Sequence, residues 1–212
     1  MNLHLTLVRP GARILCASAL PEERHVHNTE KIAALVRQLL VELGEDPGRE
    51  GLLKTPTRVA AALEFLTSGA RANLKAVIND AVFTQEANSM VIVKNIEVYS
   101  LCEHHMLPFF GRCHIGYIPT GKVFGVSKLA RLVDMHARRL QLQERLTEEI
   151  SRVVMEEIGA QGVGVMMEAR HLCMMMRGVQ KQNSEMVTSS VLGTFRDSPA
   201  TREEFLRLVA RP

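Results

Sequence analysis

The strongest constraint on this chain's fold is that two short clusters of metal-binding side chains lie far apart in sequence and complement each other. The first is in Ser100–Gly111, SLCEHHMLPFFG, where Cys102, His104 and His105 follow an apolar run and precede a Pro-Phe-Phe turn. Cys102-x-x-His105 lets a thiolate and an imidazole reach one metal from a single tight loop, although such a pair also recurs by chance. The second cluster is in Ala169–Arg177, ARHLCMMMR, where His171 and Cys173 stand two apart. In a strand, residues i and i+2 share a face, so both side chains can point into one site. A fold that unites Cys102, His105 and Cys173 makes a Cys₂His set with no obvious fourth protein ligand. Three protein ligands leave a position for water, which marks a catalytic rather than a structural zinc.

Composition bounds where such a site operates. The 212 residues suffice for one substantial domain with a helical appendage. Hydrophobic residues make up 46% and charged residues 23%, an ordinary globular balance. With no Trp and 4% aromatics, the core has to be built from Leu, Val, Ile and the eleven Met. A formal charge of +3 is too small to argue for nucleic acid, so phosphate binding has to come from local Lys and Arg clusters. Four cysteines could form two disulfides, but Cys102 and Cys173 among histidines read as metal chemistry in a reducing, cytoplasmic compartment. Cys113 reads as a small buried hydrophobe and Cys16 belongs to the N-terminal extension. No apolar run reaches the length of a membrane span, and Leu3–Val8 is too short and interrupted for a signal core.

Taken in order, residues 1–27 read as a loose extension, disordered in part. A helical region follows over residues 28–88. Asn28 or Thr29 caps a first helix whose stripe is Ile32, Leu35, Val36, Leu39, Leu40 and Leu43, stopped by Gly44. Thr55-Pro56 opens a second, ended at Ser68-Gly69. Residues 70–88 carry no firm assignment. Residues 89–212 then form the catalytic unit. Met90–Val98 and Arg112–Ile118 favour strands, and Pro119–Lys122 turns into a strand at Val123–Val126. Ser127 caps a long helical region ending at Gly159. Its apolar stripes fall out of phase near Gln141, so two helices are expected, with Gln143 and Glu144 at the start of the second. Gly162–Met175 and Met186–Phe195 complete the strands. The pattern predicts an α+β fold whose sheet keeps a free edge, a liability that oligomerisation removes.

Six segments in this order, SLCEHHMLPFFG, GYIP, GVSKLARLV, RRLQLQERLTEEI, HLCMMMRGV and VTSSVLGTF, resemble the GTP cyclohydrolase I family over about Thr29 to Leu208. That resemblance implies the tunnelling fold, an antiparallel sheet with two helices on one face, assembled through its sheets into a homodecamer of two pentameric rings. It implies GTP as substrate, opening of the guanine imidazole ring at C8, loss of formate, and 7,8-dihydroneopterin triphosphate as product, the first step of folate and pterin biosynthesis.

The same resemblance assigns Cys102, His105 and Cys173 to Zn²⁺ and makes His104 and His171 the acid–base pair. Imidazole titrates in the useful range, and His171 is expected to protonate N7. Glu144 with Gln143 matches the guanine-binding pair, a carboxylate being able to accept from both N1–H and the 2-amino group. Ser127, Lys128, Arg131 and Arg177, joined by Arg58, match the triphosphate site. A zinc protein that binds nucleotide without chemistry is disfavoured by the presence of both His104 and His171. A deazaguanine reductase needs no zinc, and a zinc deaminase needs a Pro-Cys-x-x-Cys run that is absent here. His114 and His136 receive no role.

Overall fold

The computed structural model describes residues 28–79 and 81–210. The expected N-terminal extension, and Cys16 with it, lie outside them. Asn28 caps helix α1 (Thr29–Glu42) by accepting from the Lys31 amide at 2.8 Å, and Gly44 closes it at φ +81°. Pro56 sits in the first turn of α2 (Thr55–Leu66), where a missing N–H breaks no helical bond. The two helices pack on each other and leave Leu35, Leu39 and Phe65 more than half exposed. The stretch that carried no assignment forms a 3₁₀ turn (Ser68–Arg71), a short helix α3 (Leu74–Ile78) capped by Asn73, and strand β1 (Val82–Thr84).

The body of the molecule follows. Strands β2 (Val91–Cys102) and β3 (Pro108–Ile118) form a hairpin, and β4 (Lys122–Phe124) pairs with β1. Helix α4 (Val126–Ala137), the two-residue strand β5 (Leu140–Gln141) and helix α5 (Gln143–Ile158) come next. Strand β6 (Gly162–His171), the single turn α6 (Leu172–Met175), strand β7 (Met186–Gly193) and helices α7 (Thr194–Asp197) and α8 (Pro199–Val209) complete the chain. The five-stranded sheet runs β5-β2-β3-β6-β7 and is antiparallel except where β5 lies parallel to the end of β2. This is an α+β architecture, as the sequence pattern indicates. No helix among the described residues is long and apolar enough to cross a membrane.

Period-two alternation sends Cys113, Ile115 and Tyr117 of β3, and Val163, Val165 and Met167 of β6, to one face. There they meet Leu129, Leu132 and Val133 of α4 and Leu146, Ile150 and Val154 of α5. Where α5 crosses the outer strand β7, hydroxyls meet instead. Thr147 Oγ1 lies 2.7 Å from Thr188 Oγ1, and Ser151 Oγ lies 2.7 Å from Ser190 Oγ. The opposite face of the sheet carries a second, smaller core of Phe195, Phe205 and Val209. The rings of Phe195 and Phe205 press so closely on Gly116 and Gly164 that an added Cβ would lie 2.7 and 2.6 Å from ring carbons.

Five expectations need correction. The strand expected over Val123–Val126 is shorter, since β4 ends at Phe124 and Val126 opens α4. Gly125, not Ser127, holds the N-cap position of α4, and Ser127 lies inside the first turn with no side-chain cap. Strand β6 ends at His171, because the chain coils into α6 at Leu172. Strand β7 stops at Gly193, where φ is +54° and a Cβ would lie 2.2 Å from the Gln161 carbonyl. Helix α8 escaped the sequence reading, although Ser198-Pro199 signals it and Ser198 caps it by accepting from Thr201.

His114 lies on the α8 side of the sheet and is 4% exposed. Its Nδ1 accepts from the amide of Asn95 at 3.3 Å, in the bulge of β2 where Asn95 adopts φ +57°. Burial lowers its pKa from the ordinary 6.5, Glu168 opposes the shift, and Lys94 and Arg112 reinforce it. The unfolded chain therefore takes up a proton near pH 6.5 that the folded chain refuses until lower pH. Stability from this group is complete above pH 6.5 and lost as pH falls below it. His114→Gln should flatten part of that acid-side decline, read as urea midpoints between pH 7.5 and 5. Parallel pH profiles for parent and variant would refute the assignment.

Candidate active site

The tip of the β2–β3 hairpin is a tight loop. The Cys102 carbonyl accepts from the amides of His105 at 3.3 Å and Met106 at 2.8 Å, while the Cys102 amide donates to Leu107 at 2.9 Å. Met106 takes φ +55°, a left-handed conformation seldom adopted by a long side chain. This closure folds His105 back toward Cys102. The third member arrives through β6, whose His171 pairs in register with Phe109 of β3, and the α6 turn then presents Cys173. The ligand atoms of Cys102, His105 and Cys173 all lie within 4.8 Å of one another.

Two sulfurs and one imidazole form a donor set that suits zinc, and three protein ligands leave a coordination position open. Cys102 is buried, Cys173 half-buried and His105 exposed. Burial raises the Cys173 thiol above its ordinary range and the adjacent Cys102 raises it further, while Arg177 opposes. A divalent cation would displace those protons, as thiolate ligation requires.

A cavity of about 350 Å³ opens beside the cluster, with His104, Glu144, His171 and Arg177 among its walls. A larger groove of about 570 Å³ lies on the sheet between Glu97, Arg112, Glu168 and Arg170, but no cysteine or histidine lines it. The smaller cavity is therefore the one that gathers thiol, imidazole and carboxylate groups.

His171 is held on two sides. Its ring stacks on Phe109 with centroids 4.6 Å apart and planes 9° from parallel. Its Nε2 lies 2.9 Å from Oε1 of Gln143. Gln143 is 1% exposed, and its amide nitrogen faces the carbonyls of Met167 at 3.2 Å and Met186 at 2.9 Å and the hydroxyl of Thr188 at 3.2 Å. The amide cannot flip without setting its oxygen against two carbonyls, so Oε1 accepts and His171 Nε2 carries the hydrogen. Nδ1 is left to accept a proton. Burial lowers the His171 pKa from its ordinary 6.5, and the negative charge of Glu144 opposes that shift.

The other expected residues divide. His104 lines the cavity, with Nδ1 3.9 Å from Cys102 Sγ, and Arg177 Nη1 lies 3.2 Å from His105 Nε2. Glu144 is exposed at the cavity wall, whereas its neighbour Gln143 is committed to protein groups. Ser127, Lys128, Arg131 and Arg58 do not line this cavity. Lys128 is buried with Nζ donating to the Val77 carbonyl at 3.2 Å. Arg131 opens on a separate space of about 370 Å³ bounded by Ser68, Asp134 and Arg138. Sequence reasoning missed Phe109, whose only signal was its place after the Pro of the metal loop, and the polar group Gln141, Arg145 and Glu103.

A thiol–imidazole cluster at the edge of a cavity, with a histidine fixed beside it, supplies the groups that an enzyme of metal-assisted acid–base chemistry needs. The family model described as GTP cyclohydrolase I matches residues 32–210. A protein from Alkalilimnicola ehrlichii named GTP cyclohydrolase 1 is 59% identical over 184 residues, covering 87% of this chain and 100% of that one. Proteins of the same name from Pseudoalteromonas translucida and Leptospira biflexa are 61% and 55% identical, covering 81% and 82% of this chain and 93% and 96% of theirs. The chain belongs to the GTP cyclohydrolase I family, and its α+β fold is the tunnelling fold of that family.

The cluster makes a direct prediction. The purified chain should bind one Co²⁺ per subunit with a thiolate charge-transfer band, and Cys173→Ala should lose the band while keeping the parent's circular dichroism. An unchanged band in the variant would remove Cys173 from the ligand set.

Proposed function

We propose that this chain is a zinc-dependent GTP cyclohydrolase I of the cytoplasm. It opens the guanine imidazole ring of GTP, releases formate and rearranges the remainder to 7,8-dihydroneopterin triphosphate, the entry step of folate and pterin synthesis. The observation that carries the reading is the cavity that sets Cys102, His105 and Cys173 beside a histidine held in one tautomer, with a free carboxylate on the same wall.

Cys102, His105 and Cys173 would hold the zinc, which as a Lewis acid makes water nucleophilic near neutral pH. Glu144 accepts hydrogen bonds from the guanine N1–H and 2-amino groups. An adenine edge offers no such pair of donors, so it would leave the carboxylate unpaired. Gln143, through its contacts with β6 and β7, braces the helix start that carries Glu144. His171 takes a proton at Nδ1 and returns it to N7 as the C8–N bond breaks. Burial keeps the imidazole ready to give that proton up, and Glu144 limits the cost of the charged state. His104 stands close enough to serve the later proton transfers. Arg177 meets the phosphates from the same cavity.

Ser127, Lys128, Arg131 and Arg58 are assigned to the triphosphate as well, supplied by a neighbouring subunit. Support comes from their separation from the cavity of their own chain, and from the open sheet edges along β7 and along β2 before Leu101. A ring closes such edges, and a decamer of two pentamers is the assembly we assign.

Two results test the reading. His171→Ala should retain zinc and GTP binding but slow formate release by about a hundredfold or more, the usual weight of a general acid–base group. Formate released at the parent rate would make His171 structural. Coexpressing Cys102→Ala with Arg131→Ala should restore activity that neither variant has alone, because mixed rings rebuild some intact sites. Two inactive parents giving inactive mixtures would place Arg131 outside the shared site.

A further inference from the structure

Gln141 is 1% exposed and every hydrogen-bonding position of its amide is occupied. Its Nε2 donates to the His136 carbonyl at 3.2 Å and to Glu149 Oε2 at 3.0 Å. Its Oε1 accepts from the Leu142 amide at 3.1 Å and from Arg145 Nε at 2.6 Å. All four partners agree on one orientation, because the nitrogen faces only acceptors and the oxygen only donors. The buried amide thus works as a fixed peg between the end of α4 and the start of α5.

Arg145 extends the peg outward. Beyond Gln141, its Nη2 donates to the Glu103 carboxylate and to the Leu140 carbonyl at 3.2 Å. Glu103 sits in the metal loop between Cys102 and His104, and its amide donates to the Gln141 carbonyl at 3.1 Å. The short β5–β2 pairing, Leu101 with Leu140 and Cys102 with Gln141, adds to the join. Two structures that meet in the cavity are therefore tied by one guanidinium. One is the loop with Cys102 and His105; the other is the helix start with Gln143 and Glu144. Gln141 reaches the cavity wall, but the ion pair itself does not touch the space where a substrate would sit, since neither Arg145 nor Glu103 lines the cavity.

We infer that Arg145 and Glu103 are positioning residues, a clasp that fixes the metal-ligand loop against the base-binding end of helix α5. An arginine suits this task because its planar fork reaches Gln141, Glu103 and the Leu140 carbonyl together, which a lysine ammonium on a flexible stem does not do in fixed geometry. The pair is part-exposed, so its effect lies in geometry at the loop and not in overall stability. The inference rests on the zinc reading above.

The test uses the full-length, zinc-loaded protein and four variants: Arg145→Met, Arg145→Lys, Glu103→Gln and the double variant Glu103→Gln/Arg145→Met. Zinc release to a chromophoric chelator is followed in each, beside kcat and KM for GTP and the thermal midpoint. Arg145→Met should release zinc about tenfold faster and lose about tenfold in kcat, the usual weight of groups that orient metal ligands. KM should stay within about threefold, because the guanine and phosphate contacts are intact. Arg145→Lys should fall between. The double variant should match Arg145→Met alone, because the two residues act as one unit. A merely structural role would lower the midpoint and leave zinc release by the folded protein at the parent rate, which overturns the clasp. Single effects that multiply in the double variant overturn it too. A parent that binds no zinc would end the reading on which the clasp rests, an outcome distinct from a zinc-bearing parent whose variants release metal normally.

Discussion

Everything at the site depends on the register of one strand pair. Strand β3 follows the Cys102 loop and pairs with β6 along its length, ending with Phe109 opposite His171. That pairing brings Cys173 to Cys102 and His105 across a long stretch of sequence. A slip of one residue would turn every side chain of β6 to the other face. Val163, Val165 and Met167 would leave the core under α4 and α5, so the apolar contacts that stabilise the fold also enforce the geometry of the cluster. Gly111 shows how close the two strands lie there, since a Cβ at that position would meet the Glu168 carbonyl at 1.9 Å.

Around this frame the chain uses polar groups where it must hold a side chain still. Gln143 is buried but fully engaged, as is Gln141, and both sit at the break between α4 and α5. Buried amides with complete sets of partners specify one arrangement, because any alternative strands a donor or an acceptor away from water. Cys113 illustrates the opposite treatment. Burial pushes its thiol up to about 12, and it behaves as a packed apolar group within the sheet. Cys102 at the hairpin tip and Cys173 in the α6 turn face a cavity, whereas Cys113 is sealed inside the sheet.

Much of this was legible in the sequence. The cap at Asn28, the helix start at Pro56, the phase break near Gln141 and the pairing of distant Cys and His clusters follow from spacing and local chemistry. The sharing of a site by His171 and Cys173 was also legible, but for the wrong reason. Strand alternation predicts it, whereas the chain achieves it with one helical turn, because a short coil after β6 satisfies the same direction. The role of Gln143 was hidden, since a Gln-Glu pair at a helix start reads as surface until β6 and β7 are seen to close over one member. Arg145 and Glu103 gave no signal at all, because a contact between a helix and a distant loop has no period.

The hydroxyl seam between α5 and β7 has an effect beyond packing. Thr188 meets both Thr147 and the amide of Gln143, and the Met186 carbonyl takes a second bond from that amide. Strand β7 is the rim of the sheet, the place where another strand would add. Directional bonds, unlike greasy contacts, do not let one partner slide while the other stays. A displacement of the rim would therefore be carried through Gln143 to the imidazole of His171, which couples the outermost strand to the group proposed to carry the proton.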